Sequence, residues 1–408
     1  MFKITKKSKS IEGVLNISGS KSESNRLLIL RAFTSYFDIK NISDSDDTNV
    51  MISAINSNQE EIDIGHAGTA MRFLTSYFSS INNSSVILTG SKRMKERPIS
   101  ILVDALRELE VEISYIKNEG YPPIKIKGKE INKKQVKLPA NVSSQYITSL
   151  MMLGVSLQNG LVINLSTEIT SLPYIEMTKK IIERIGGNVK LKSNQILIDS
   201  LSNKKIPNQL VESDWSSASY FYSMVALSDL SDLTLKTYYK DSIQGDSDLA
   251  EIYKKFGVKT TYINNGIHLS KSDDKIEKKI SLDLSNNPDL AQTIVVTCLG
   301  LQIDCDIYGL QTLKIKETDR LIALKSEIEK FGVDKIEVTE SSLHLENKSQ
   351  LKSNISIDTY DDHRMAMSFV PLSLLDPIKI NDPLVVTKSY VSFWDHLEKL
   401  GFEISKNK

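Results

Sequence analysis

Six segments of this chain are apolar on nearly every face of a helix: LLILRAF, TAMRFLTSYF, QYITSLMMLGVSL, ASYFYSMVAL, AQTIVVTCLGL and RMAMSFVPLSLL. A helix with no polar face has to be buried, so these six belong inside a fold. Their polar starts fall near Ser22, Gly68, Ser143, Ser216, Asp289 and Asp362, and the last five are spaced 73–75 residues apart. A second, amphipathic series reads ALRELEVEI, IIERIGGNVKL, IYKKFGVKTTYI, EIEKFGVDKIEV and HLEKLGFEI. Four of these pass through Gly186, Gly257, Gly332 and Gly401, at intervals of 69–75 residues. Glycine just past a helix supplies the left-handed cap that other residues resist. Alternating, strand-like stretches follow, with hairpin turns expected at Asn265-Gly266 and near Glu119-Gly120.

Two independent series with one period describe about six copies of buried helix, amphipathic helix and strands, the first copy shorter. The fold class is therefore α/β. A period above 50 residues suits compact repeat domains better than an open solenoid. A length of 408 residues divides into two domains of three copies, and the polar segment SLSNKKIPNQLVESD marks the boundary. The 51 basic and 51 acidic side chains cancel, which excludes a general binder of nucleic acid. Cys298 and Cys305 cannot build a disulfide framework or a four-ligand zinc site. The basic N-terminus lacks a signal-peptide core, and the apolar run 293–301 is far short of a membrane span. A soluble, cytoplasmic protein is expected.

The starts of the buried helices carry the chemistry. They read GSKSESNR, GHAGTAMR, NVSSQY, ESDWSSAS, NNPDLAQ and TYDDHR. Helix capping alone explains their hydroxyls and aspartates. It does not explain Lys21, Arg26, Arg72 and Arg364, read as first-turn cations that oppose the helix dipole unless an anion is bound. Further cations cluster at Lys92, Arg93, Lys95 and Arg97, at Lys316 and Arg320 of KIKETDRL (four apart, facing one ligand from a helix), and at Lys388. Converging guanidinium groups suit a small, multiply charged anion. The neutral average then hides a segregation, with cations gathered at one site and acids mostly elsewhere. There is no GxxxxGK[ST], GxGxxG or GxSxG, and the five histidines show no metal-ligand spacing. No cofactor and no metal are expected. Cofactor-free acid–base chemistry on anions remains, with Asp289 and Glu317 as the carboxylates.

In order, GSKSESNR, GHAGTAMR, RMKERPI, SSQYITSLMM, SLPYIE, SDWSSASYF, NNPD, KETDR, DDHRMAM and VTKSY resemble the motifs of the 5-enolpyruvylshikimate-3-phosphate (EPSP) synthase family, from about residue 19 to 395. The resemblance implies two inside-out α/β domains of three repeats each, 19–212 and 1–18 plus 213–408, with helix N-termini facing an interdomain cleft that holds the active site. It implies transfer of the enolpyruvyl group of phosphoenolpyruvate to the 5-hydroxyl of shikimate 3-phosphate, with release of phosphate, in aromatic amino-acid biosynthesis. Carried over by motif, shikimate 3-phosphate meets Lys21, Ser22, Arg26, Ser143, Ser144, Gln145, Ser171, Asp289, Thr312 and Lys316, with Tyr174 at the border. Phosphoenolpyruvate meets Lys21, Gly68, Arg97, Gln145, Arg320, Arg364 and Lys388. Asp289 is the candidate base for the hydroxyl and Glu317 the candidate for proton transfer at the methylene carbon, with Lys21, His363 and Lys388 assisting. No nucleic-acid or membrane partner is implied, and a monomer is the family expectation.

The sequence departs from the family pattern at five places. His66 stands for a common Asn, Phe73 for the proline after GTAMR, Thr312 for Asn or Ser, Asp361 for Asn, and Val391 for proline. Two other readings are the sister transferase that acts on UDP-N-acetylglucosamine and a non-catalytic anion-binding protein. The first resembles a KN start and typically has a loop cysteine, whereas Lys21 here precedes Ser22 and SKRMKERP has no cysteine. The second would need neither Asp289 nor Glu317.

Overall fold

Each period of the sequence folds into a sheet of one plan. In the second copy, Glu61–Asp63 runs parallel to Ser85–Thr89 across the buried helix Gly68–Ser79. The amphipathic helix Ser100–Glu108 follows, and the hairpin Glu112–Tyr115 with Ile124–Lys127 then adds antiparallel to Ser85–Thr89. Among the described residues, five four-stranded sheets repeat this order of one parallel and two antiparallel pairings. The shorter first copy leaves a two-stranded pair, Ile39–Lys40 with Gln209–Leu210. The computed structural model describes residues 1–139, 143–167, 172–201, 205–274, 276–347 and 350–406.

The local signals act as their chemistry requires. Gly186, Gly257, Gly332 and Gly401 all take positive φ, between 72° and 93°. In the one amphipathic helix without such a glycine, Glu110 takes the same region at φ 68°. Asn265, at φ 61°, turns the chain between Val258–Ile263 and Gly266–Lys271.

The chain forms two compact units, Met1–Ser18 with Glu212–Lys408, and Gly19–Val211. The boundary expected from the sequence, between 212 and 213, lies one residue later than this one. In the first unit the N-terminal segment supplies two strands. Phe2–Thr5 pairs antiparallel with both Ile378–Ile380 and Glu403–Lys406, and Ser10–Leu15 pairs parallel with Leu230–Lys236.

Inside each unit the buried helices pack on one another and the sheets lie outside. Lys21–Phe33, Gly68–Ser79 and Ser144–Ser156 do so in one unit; Trp215–Leu227, Ala291–Leu301 and His363–Phe369 do so in the other. Every residue of Trp215–Leu227 except Ser216 is buried. A fully buried large apolar side chain contributes about 1.5–3 kcal/mol, so this packing dominates the fold. Hydroxyls that enter such a core need partners, and they find them one repeat away. Ser149 Oγ donates to Ser76 Oγ at 2.6 Å, and Thr297 Oγ1 to Ser223 Oγ at 2.8 Å.

Candidate active site

Packing the buried helices together brings their starts together. In the unit containing Glu212–Lys408, Asp289 lies in the short turn Pro288–Leu290 ahead of Ala291–Leu301, and Arg364 lies in the first turn of His363–Phe369. Arg364 reaches Asp289 twice, through Nη1 to its carbonyl at 3.1 Å and through Nη2 to its carboxylate at 3.2 Å. Nη2 also donates to Ser216 Oγ, in the first turn of Trp215–Leu227, at 3.3 Å. Three helix starts are therefore tied by one guanidinium.

Arg320 organises the acids. It is 2% exposed; its Nε donates to Asp362 at 2.6 Å, Nη1 to Asp289 at 2.8 Å and Nη2 to Glu317 at 2.9 Å. Burial works against this charge, yet the Asp362, Glu317 and Asp289 carboxylates outweigh it and raise the guanidinium pKa. For Asp289, burial raises the pKa, but Arg364, Lys316 at 3.5 Å and Arg320 prevail and hold it well below the usual carboxylate range. Asp289 is thus an ionised group: a proton acceptor in form, weak in basicity. Asp362 caps its helix by accepting from the Arg364 backbone N–H at 2.9 Å, and the buried His363 ring lies with Nδ1 3.8 Å from the Asp362 carboxylate. Lys388 Nζ donates to the Asp361 carbonyl at 2.9 Å.

The other unit holds a smaller cluster. Lys21 opens the helix Lys21–Phe33 and pairs with Asp47 at 3.1 Å. Ser22 lies beside it, and its carbonyl accepts from Arg26 Nη1 at 2.8 Å. Ser143 caps Ser144–Ser156 by accepting from the Gln145 N–H, and Gln145 Nε2 donates to Thr69 Oγ1 at 3.2 Å across two helix starts. Gly68 begins its helix without a side-chain cap, and the Arg97 guanidinium lies directly over it. A Cβ on Gly68 would fall 2.5 Å from Arg97 Nη1, so only glycine admits this approach.

Several sequence expectations change. Arg26 and Arg72 are not first-turn residues; both lie one turn further in. Arg72 is buried against its own chain, with Nη2 donating to the Pro98 carbonyl at 2.8 Å. Its pKa falls to about 10 because burial and then Arg97 disfavour its charge. Lys316 does not share a helix with Arg320, because Asp319 caps a helix that starts at Arg320. Arg320 has its three nitrogens on carboxylates, so substrate contact requires one of them to yield. The cations are not segregated either: Asp289, Glu317, Asp362 and Asp47 interleave with them, an outcome of desolvation that bare clusters could not survive. Thr312 lies in the turn Gln311–Ile315 with its hydroxyl turned out of solvent. Ser171 lies outside the described residues. Asp47 is not among the expected site residues, and Asp362, expected only as a helix start, also holds Arg320. DDHR named the second without its role, whereas nothing near Asp47 points to Lys21. Among the described residues, no cluster of His, Cys, Asp or Glu is arranged to hold a metal ion.

Residues 53–397 match the family model of EPSP synthase (3-phosphoshikimate 1-carboxyvinyltransferase). The chain is 46% identical over 398 residues to a 3-phosphoshikimate 1-carboxyvinyltransferase of Bacteroides fragilis, covering 97% of this chain and 96% of the relative. It is 35% identical over 432 residues to one of Haemophilus influenzae, covering 96% and 97%. Among solved structures, EPSP synthase from Acinetobacter baumannii superposes with a TM-score of 0.79 at 20% identity, covering 100% of both chains. The enolpyruvyl transferase NikO from Streptomyces tendae does so with 0.73 at 12% identity, over 99% and 98%, and these two speak for the fold alone. By whole-length sequence identity, and with a fold to match, this chain belongs to the EPSP synthase family.

Proposed function

We propose that this chain transfers the enolpyruvyl group of phosphoenolpyruvate to the 5-hydroxyl of shikimate 3-phosphate and releases phosphate. One observation carries the reading beyond family membership: Asp289 and Glu317 are held on one guanidinium, with Lys316 and Arg364 against the same Asp289. Two carboxylates fixed among cations are what proton transfer on an anionic substrate needs, and a simple anion receptor has no use for them.

In the addition step, the hydroxyl oxygen bonds to the carbon bearing the phosphate, its proton passes to a base, and the methylene carbon gains a proton to become methyl. In the elimination step, the methyl loses a proton, the carbon–phosphate-oxygen bond breaks and phosphate leaves. Asp289 takes the hydroxyl proton and Glu317 serves the methylene carbon, with Lys21, His363 and Lys388 assisting. Shikimate 3-phosphate is assigned to Lys21, Ser22, Arg26, Ser143, Ser144, Gln145, Ser171, Asp289, Thr312 and Lys316, and phosphoenolpyruvate to Lys21, Gly68, Arg97, Gln145, Arg320, Arg364 and Lys388. Arg97 over an uncapped helix start is a natural seat for a phosphate or carboxylate. The two compact units are read as the two three-repeat enolpyruvyl transferase domains. The proposal extends to a cytoplasmic monomer; among the described residues, no helix is long and apolar enough to cross a membrane.

The discriminating experiment offers phosphoenolpyruvate with shikimate 3-phosphate or with UDP-N-acetylglucosamine and measures phosphate release. Release with the first alone is expected. Release with the UDP-sugar alone supports the sister reaction, and release with neither supports an anion-binding protein.

A further inference from the structure

We infer that Phe73 is a positioning residue for Arg26, its ring face holding the guanidinium in the orientation that receives the shikimate 3-phosphate anion. The inference rests on the function proposed above and adds to it a residue outside the substrate contacts.

Arg26 is 3% exposed, and among the described residues it has no carboxylate within ion-pair distance. Glu23, one turn before it on the same helix, is itself buried and joined to Arg184. Other groups hold the cation. Its Nε donates to Thr178 Oγ1 at 2.7 Å and its Nη1 to the Ser22 carbonyl at 2.8 Å. Two aromatic ring faces meet it, with Cζ 5.4 Å from the Phe73 centroid and 5.9 Å from that of Tyr174.

The two hydrogen bonds anchor Nε and Nη1, and the ring faces restrain the cation from a further direction. Burial lowers the guanidinium pKa to about 10, the expected sign for a cation whose compensation is incomplete until an anion arrives. Phe73 is fully buried on the helix Gly68–Ser79. Only an aromatic face attracts a desolvated guanidinium through its quadrupole. The proline expected here by family resemblance offers no such face. Phe73 touches no substrate in this account and acts through Arg26.

The test replaces Phe73 with 4-fluoro-, 3,5-difluoro- and 3,4,5-trifluorophenylalanine in the full chain. Fluorine weakens the ring quadrupole stepwise with little change in shape. The KM for shikimate 3-phosphate is expected to rise with each fluorine and to reach about tenfold in Phe73→Leu. The KM for phosphoenolpyruvate and the kcat should stay within about twofold. In an Arg26→Lys background, which removes the planar fork, the fluorine series should be flat. A flat series in the parent chain, or an equal rise in both KM values, overturns the inference and leaves the proposed function standing. No phosphate release by the unmodified chain with shikimate 3-phosphate removes both. Should Phe73→Leu fail to fold, the near-isosteric fluorinated series decides alone.

Discussion

A single methyl group at residue 68 tests the seat assigned to phosphoenolpyruvate. Gly68→Ala should fold normally, because the clash is with the mobile end of Arg97 rather than with backbone. Displacing a charge-assisted, two-pronged contact should raise the KM for phosphoenolpyruvate about tenfold, with that for shikimate 3-phosphate nearly unchanged. Steady-state kinetics check this; an unchanged KM for phosphoenolpyruvate would remove Arg97 from the site. Asp289→Ala and Glu317→Gln should each lower kcat by about 10²–10⁴. Near-normal turnover in either variant would reassign its proton transfer. At this scale the sequence named most of the charged residues but not their partners. The motif KETDR joins Glu317 and Arg320 locally, whereas Lys21 and Asp47 are 26 residues apart and meet only when two helices pack. Arg72 departs from its expected role for a related reason. A cation near a helix start has two satisfactions, a ligand or its own chain, and Arg72 found the Pro98 carbonyl.

Helix starts in the Glu212–Lys408 unit hold an acid that the sequence reading passed over. Asp246, in the turn Gly245–Asp248, is buried and hydrogen-bonds Ser216 Oγ, the hydroxyl that also receives Arg364. Burial, with Asp289 beyond it, raises its pKa to about 6 against 3.8 for the unperturbed group. The folded unit therefore keeps a proton that the unfolded chain releases, so this group's contribution to stability falls as pH rises from about 4 to about 6. At about 1.4 kcal/mol per pH unit the loss is up to about 3 kcal/mol. Asp246→Asn cannot ionise, so its stability relative to the parent should improve by up to that amount between pH 4 and pH 7. Both tryptophans, Trp215 and Trp394, lie in this unit, so urea unfolding followed by their fluorescence reads it directly. A difference that stays constant with pH would contradict the assignment. Element types were legible because their signals are local: all-round apolarity for the inner helices, glycine for the caps, Asn-Gly for a hairpin. Whether Lys316 and Arg320 share a helix was not, since that turns on the Asp319 cap.

For the molecule as a whole, two strands near one terminus complete sheets whose other strands lie beyond residue 229. Removing residues 1–18 strips Phe2–Thr5 from between Ile378–Ile380 and Glu403–Lys406, and removes the parallel partner of Leu230–Lys236, leaving it paired with Gly266–Lys271 alone. It also removes the Phe2 ring that packs edge-on against Trp394 at 5.2 Å. The unit Glu212–Lys408 should lose its cooperative tryptophan-monitored transition, while Gly19–Val211 keeps its amide protection. Hydrogen exchange resolved by peptide checks both, and equal loss in the two units would mean that they do not fold independently. The six-copy organisation was visible in the sequence because it is a periodicity. The distribution of charge was not, because net neutrality is as compatible with segregation as with the interleaved acids and bases found here.

The central claim is enolpyruvyl transfer by this chain's own side chains. It is tested most directly by incubating the purified protein, dialysed against chelator, with phosphoenolpyruvate and shikimate 3-phosphate and following both products by phosphorus NMR. One phosphate should be released for each enol ether formed at the 5-hydroxyl, with no turnover when either substrate is omitted. Phosphate released without the enol ether, or no reaction until a cofactor is supplied, would contradict it.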